Sequence, residues 1–196
     1  MTKVFRKRVF TLPLLLRVSA QALLRLPLLI IALIRPQTSR RLREKVMLAC
    51  TQVNDCRYCA WAHTHLALKN GIDPATIQAL LGACASTAVS DDESIAILYA
   101  QHFAERAGNV TKEASTRLGS AFTTTQIREI NAYLYAIYFA NLSGNTFDAL
   151  LLRMRGKKAG NSSLITELLT SALSAPVLLS IRWAARNDDK VKLDVL

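Results

Sequence analysis

The feature that most constrains the fold is how often this chain spells out the start of a helix. Ser90-x-x-Glu93 and Thr123-x-x-Gln126 are capping boxes, in which a side chain and the backbone satisfy each other's free groups. Asp73-Pro74 is a cap followed by a first-turn proline, and Gly71 stands where a preceding helix would stop. These signals predict helices over 13–34, from Thr38 or Ser39 to about Val53, and from Cys56 to Asn70 behind an Asp55 cap. Others follow from Pro74 to Gly82, Ser90 to about Ala107, Thr111 to near Gly119 and Thr123 to about Leu142. Beyond Gly144, helices are expected over 146–155, 164–174 and 177–186, and Pro27 is expected to kink the first helix. No stretch alternates with period two for long enough to make a strand. Only 7 Gly and 5 Pro, with 51% hydrophobic residues, suit a helical core. The expected fold class is all-α.

Charge divides the chain. Residues 1–45 hold 11 of the 25 Lys and Arg but only one of the 14 acids, Glu44, so the net charge of +11 belongs almost wholly to an N-terminal arm. A nucleic-acid-binding body would carry its charge on the folded face, so no nucleic-acid partner is expected. The arm is apolar as well, but Arg17 and Arg25 interrupt it and its longest apolar run, Leu26 to Ile34, is nine residues. A span needs about 20, and none is expected. The basic start at Lys3 to Arg8, the apolar Val9 to Leu16 and Ala20-Gln21-Ala22 resemble a signal peptide, against which Arg17 stands. The arm could lie on an anionic membrane surface, but packing on the body or in an oligomer contact is favoured. Three parts result: an arm over 1–37, a helical domain over 38–155, and a helical extension over 156–196. A cytoplasmic location is expected.

Four cysteines in 196 residues do not make a disulfide framework. Two are spaced Cys56-x-x-Cys59, which in a reducing compartment indicates a metal site or a redox couple. His63 follows four residues on, so all three share one helix face. Both cysteines fall near the helix start, where free N–H groups and the dipole favour a thiolate, and the imidazole can take a proton. Glu44 enters through the hairpin. With the turn near Asn54, a residue ten positions earlier pairs near Thr64, which sets Glu44 beside His63 as an orienting carboxylate.

Glu44, eleven intervening residues, then Cys56-x-x-Cys59-x-x-x-His63 resembles the alkyl hydroperoxidase D / carboxymuconolactone decarboxylase family. The resemblance covers about residues 38–107 and extends to about Arg155, where Asn141 to Asp148 looks like the end of the family's helical unit. It implies an alkyl hydroperoxidase D-like helical bundle, here with a basic amphipathic N-terminal helix and extra C-terminal helices. It also implies a homo-oligomer and cysteine-based peroxidase chemistry with no bound cofactor. By that analogy Cys59 attacks a hydroperoxide, Cys56 resolves the sulfenic acid as a disulfide, and Glu44 with His63 relays the proton. A dithiol, thioredoxin-like or lipoyl protein would reset the pair. Members of the hydroperoxidase branch often carry a second histidine between the cysteines, where this chain has Tyr58. The decarboxylase branch generally lacks the cysteine pair.

Each of these residues also has a plainer reading. The cysteines could be buried small hydrophobes, or zinc ligands with His63 and His65, although His65 is off their face. Trp61 and Tyr58 could line a pocket or serve packing. Cys50 and Cys84 have no partner pattern and read as buried. Tyr133, Tyr135, Tyr138 and Phe139 read as helix packing, and Arg153, Arg155, Lys157 and Lys158 as a solvated helix end. The competing reading of the whole is a non-catalytic helical oligomer or membrane-surface protein.

Overall fold

A computed structural model describes residue 5 and residues 7–82, 90–159 and 162–186. Cys84, expected to be buried, lies outside the described residues, as does the charged tail after Arg186. Among the described residues there are eight α-helices and no strand: α1 (Leu12–Ile34), α2 (Arg40–Asn54), α3 (Arg57–Lys69), α4 (Pro74–Leu81), α5 (Asp91–Glu105), α6 (Lys112–Ala121), α7 (Thr124–Met154) and α8 (Leu164–Arg186). The fold is all-α.

The punctuation holds where it was clearest. Both capping boxes form, Asp73 accepts the Thr76 N–H at 2.8 Å, and Ser39 rather than Thr38 caps α2. Gly71 takes a left-handed conformation with φ 75°. Asp55 departs from expectation. It does not cap α3; it ends α2 in the left-handed region with φ 53°, and Cys56 holds the cap position of α3. The hairpin reverses over these two residues, and Asp tolerates φ above zero better than most side chains.

Helix α7 is the axis on which the rest assembles. Its Tyr133, Leu134, Ile137, Tyr138 and Leu142 are buried, and α1, α2, α3 and α8 all pack against it. The break expected after Leu142 does not occur. Leu142 to Phe147 are buried without interruption, and that burial outweighs the roughly 1 kcal/mol a mid-helix glycine costs. The two helices expected over 164–174 and 177–186 are likewise one. Pro176 and Ala172, the residue whose carbonyl the proline leaves without a donor, both lie on the exposed side, where the gap costs least.

The N-terminal arm packs along α7. Tyr133 Oη donates to the Ala32 carbonyl at 3.3 Å, the Arg25 guanidinium lies 4.2 Å over the Tyr135 ring, and the Phe10 N–H donates to Thr146 Oγ1 at 3.0 Å. Buried Glu129 closes the α1–α2 connection by accepting the backbone N–H groups of Gln37 and Thr38. By length and composition α1 is long and apolar enough to cross a membrane, which differs from the expectation drawn from its short apolar runs. Arg17 and Arg25, which interrupt those runs, both reach back to the body. Arg17 Nη2 donates to the Ala107 carbonyl at 2.8 Å.

Candidate active site

The α2–α3 hairpin brings the motif together as two pairs, Glu44 with His63 and Cys56 with Cys59. Its turn is fixed by α7, where Asn145 Nδ2 donates to the Asn54 carbonyl at 2.7 Å and Thr51 Oγ1 donates to Asn141 Oδ1 at 3.1 Å. With the turn pinned, Glu44 on α2 stands against His63 on α3, Oε2 to Nδ1 2.7 Å. Its other oxygen, Oε1, takes the Arg43 guanidinium at 2.8 and 2.9 Å. Glu44 is 1% exposed, so both oxygens are used and neither meets water. Burial alone would push this carboxyl up. The His63 and Arg43 contacts outweigh it and hold Glu44 below the usual carboxylate range.

Cys56 and Cys59 are free thiols, both buried, with their sulfurs 3.1 Å apart. That is about 1 Å beyond a disulfide bond. The expected lowering of the Cys59 pKa is not found. Its contact with Cys56, together with burial, holds the Cys59 thiol well above the ordinary range. The neighbouring sulfur and the buried site both disfavour the anion. Cys50 is fully buried, as expected, and burial pushes its pKa far up. The Asn54 and Asn141 amides donate to its sulfur at 3.6 and 3.8 Å.

Tyr58, between the cysteines, belongs to a charged cluster at the far end of the hairpin. Its hydroxyl donates to Asp148 Oδ1 at 2.8 Å, Arg57 reaches the same oxygen at 2.5 Å, and Lys7 pairs with Oδ2 at 3.3 Å. Burial, and then the Asp148 carboxylate, push Tyr58 up to about 12, so it remains a neutral donor. His65 turns away from the motif, with its Nδ1 2.9 Å from the Trp61 carbonyl and its ring tilted 44° against the indole at 4.4 Å. Among the described residues no three His, Cys, Asp or Glu side chains gather as a metal site requires, so the zinc alternative lacks a ligand set there.

The sequence did not point to two contributors. Arg43 engages Glu44 from the adjacent position, a contact the helix period does not suggest. Gly144 falls in the break expected between a helix ending near Leu142 and one starting at Thr146. A Cβ there would lie 2.7 Å from Cys56 Sγ and 3.0 Å from Tyr58 Cδ2, so only glycine lets α7 approach the pair so closely. Arg153 is no solvated helix end either. It holds the fully buried Glu167 of α8 through Nε and Nη2, at 2.5 and 2.9 Å.

An all-α chain with a thiol pair, an imidazole and a buried carboxylate on one hairpin defines a class of candidate thiol enzymes. Residues 19–102 match the sequence model described as the carboxymuconolactone decarboxylase family. The family includes alkyl hydroperoxidase D-like proteins, and the match encloses Glu44, Cys56, Cys59 and His63. No curated protein and no solved structure matches the chain.

Proposed function

We propose that the chain is a cysteine-based hydroperoxidase. The observation that carries this reading is the conjunction of a 3.1 Å thiol pair with a 2.7 Å Glu–His contact on the same hairpin. Because the Cys59 thiol holds its proton, attack on a peroxide requires a base. His63, one helical turn along α3, is that base, and Glu44 orients it and offsets the charge it gains. The Cys59 sulfur then attacks the distal peroxide oxygen, forming an S–O bond as the O–O bond breaks and releases the alkoxide. It becomes a sulfenic acid, and the alkoxide takes a proton and leaves as the alcohol. Cys56 attacks the sulfenic sulfur, a Cys56–Cys59 disulfide forms and water departs. Its closeness to Cys59 supports Cys56 as the resolving partner. A dithiol, thioredoxin-like or lipoyl protein returns both sulfurs to thiols by exchange.

The family also covers decarboxylases, and the free thiol pair favours the redox branch over that chemistry. Titration of thiols before and after one equivalent of an alkyl hydroperoxide tests the reading. Rapid loss of two thiols per chain is expected. No loss on the same timescale would refute it.

A further inference from the structure

The two outer helices carry apolar faces outward. On α1, Leu16, Leu23, Leu24, Ile31 and Ile34 are all more than half exposed, Leu24 at 75%. On α8 the pattern is inverted. Thr166, Glu167, Thr170 and Ser171 face inward while Ile165, Leu168, Leu169, Leu173 and Trp183 face out. A helix bordered by water does the reverse. Contiguous exposed apolar surface marks a partner or a lipid contact.

Charge distinguishes the two for α1. Residues 7–43 contain eight Lys and Arg and no acid, and Arg35, Arg40 and Arg41 are exposed where α1 ends and α2 begins. A second copy laid parallel on α1 would set Arg35, Arg40 and Arg41 against their own counterparts, with no acid on the helix to offset them. An anionic bilayer supplies acyl chains for the leucine face and negative headgroups for the arginines. On such a surface the helix would lie flat and not cross. Its inward face is tied to the body by Tyr133, by the Arg25–Tyr135 stack and by Arg17, contacts a crossing helix would forfeit.

We infer that the chain docks on anionic membrane surfaces through the outward face of α1, with Arg35, Arg40 and Arg41 at the headgroups. This reverses the preference drawn from sequence, where packing and membrane contact were alternatives; one face of α1 packs and the other is left for lipid. The full chain, sedimented with phosphatidylcholine vesicles with and without phosphatidylglycerol, tests it. Binding is expected only with the anionic lipid, and it should weaken sharply at high salt. Replacing Arg35, Arg40 and Arg41 with Gln should lower the partition by about fivefold for each arginine. Leu24→Glu with Ile31→Glu should abolish binding while helicity and peroxide-driven thiol loss are kept. Three results would each overturn the inference. One is equal binding to neutral vesicles. Another is retention through an alkaline wash, which would mean insertion. The third is failure to bind either vesicle, whether the chain is a monomer or a dimer that the double glutamate variant dissociates.

Discussion

Helices α2 and α8 both bury polar side chains, and they do so to opposite ends. In α2, Glu44 meets His63 and Arg43, and Lys45 reaches Glu93 at 2.7 Å, so both buried charges are paired. In α8 the buried Glu167 is paired, but the hydroxyls of Thr170 and Ser171 have no hydrogen-bond partner among the described residues. An unsatisfied buried group costs free energy. α2 therefore spends its polar residues on a site. α8 uses small polar residues to sit closely on α7, and leaves its large apolar ones outside. The lesson is that buried polarity indicates chemistry only where the groups converge on one another.

The largest effect that would sharpen this contrast lies in α2. Glu44→Gln should keep the fold but slow peroxide-driven thiol loss within the range of about 10²–10⁴-fold ascribed to general-base help. His63→Ala should slow it comparably. The double variant should be little worse than either, because the pair acts as a unit. Stopped-flow thiol loss measures all three. The same carboxylate gives a pH signature. Its folded pKa lies below the unfolded value of about 4.3. The unfolded state thus binds the proton first as pH falls. Glu44 contributes its full stability above that value and loses it as pH drops through the folded pKa. Denaturant midpoints of Glu44→Gln and parent should converge in acid.

A smaller effect is expected where α7 meets the thiols. Gly144→Ala forces a Cβ against Cys56 Sγ, and overpacking of this kind costs about 1–3 kcal/mol. Gly119→Ala in α6 meets nothing within 4 Å and should instead stabilise by about 0.4–1 kcal/mol. Urea unfolding of the two variants, read side by side, separates a tight approach from an ordinary helical glycine.

The smallest effect should be in α8. Ser171→Ala removes a hydroxyl with no partner among the described residues, so stability should change by no more than about 0.5 kcal/mol, or rise. A loss as large as that of Gly144→Ala would mean that the serine holds a bond across the α7–α8 interface, and would remove the contrast with α2.

Much of this was legible in the chain. Caps at Ser39, Asp73, Ser90, Thr111 and Thr123 are local chemistry, and each stands in the structure. The Glu44–His63 contact was legible because a hairpin with a known turn sets its own register. What was not legible depended on distant parts of the chain. Gly144 looks like a break between helices until α3 is seen to press against it. The Cys59 thiol looks activated by its helix start until burial and the Cys56 sulfur are counted. Arg153 reads as a surface base until α8 brings Glu167 to it. Periodicity and capping report a residue's own helix; Gly144 and Arg153 depend on a neighbouring one, and Cys59 on a sulfur contact and burial that neither signal reports.

The central claim is that Cys59 attacks with help from His63 and that Cys56 resolves. The most direct measurement is mass spectrometry of the Cys56→Ser chain treated with an alkyl hydroperoxide and a sulfenic-acid trap. The account predicts the trapped adduct at Cys59, while the parent chain, treated alike, yields peptides joined through Cys56 and Cys59. An adduct at Cys56 in the reciprocal Cys59→Ser chain, with none at Cys59 in Cys56→Ser, would contradict it and reverse the roles of the two cysteines.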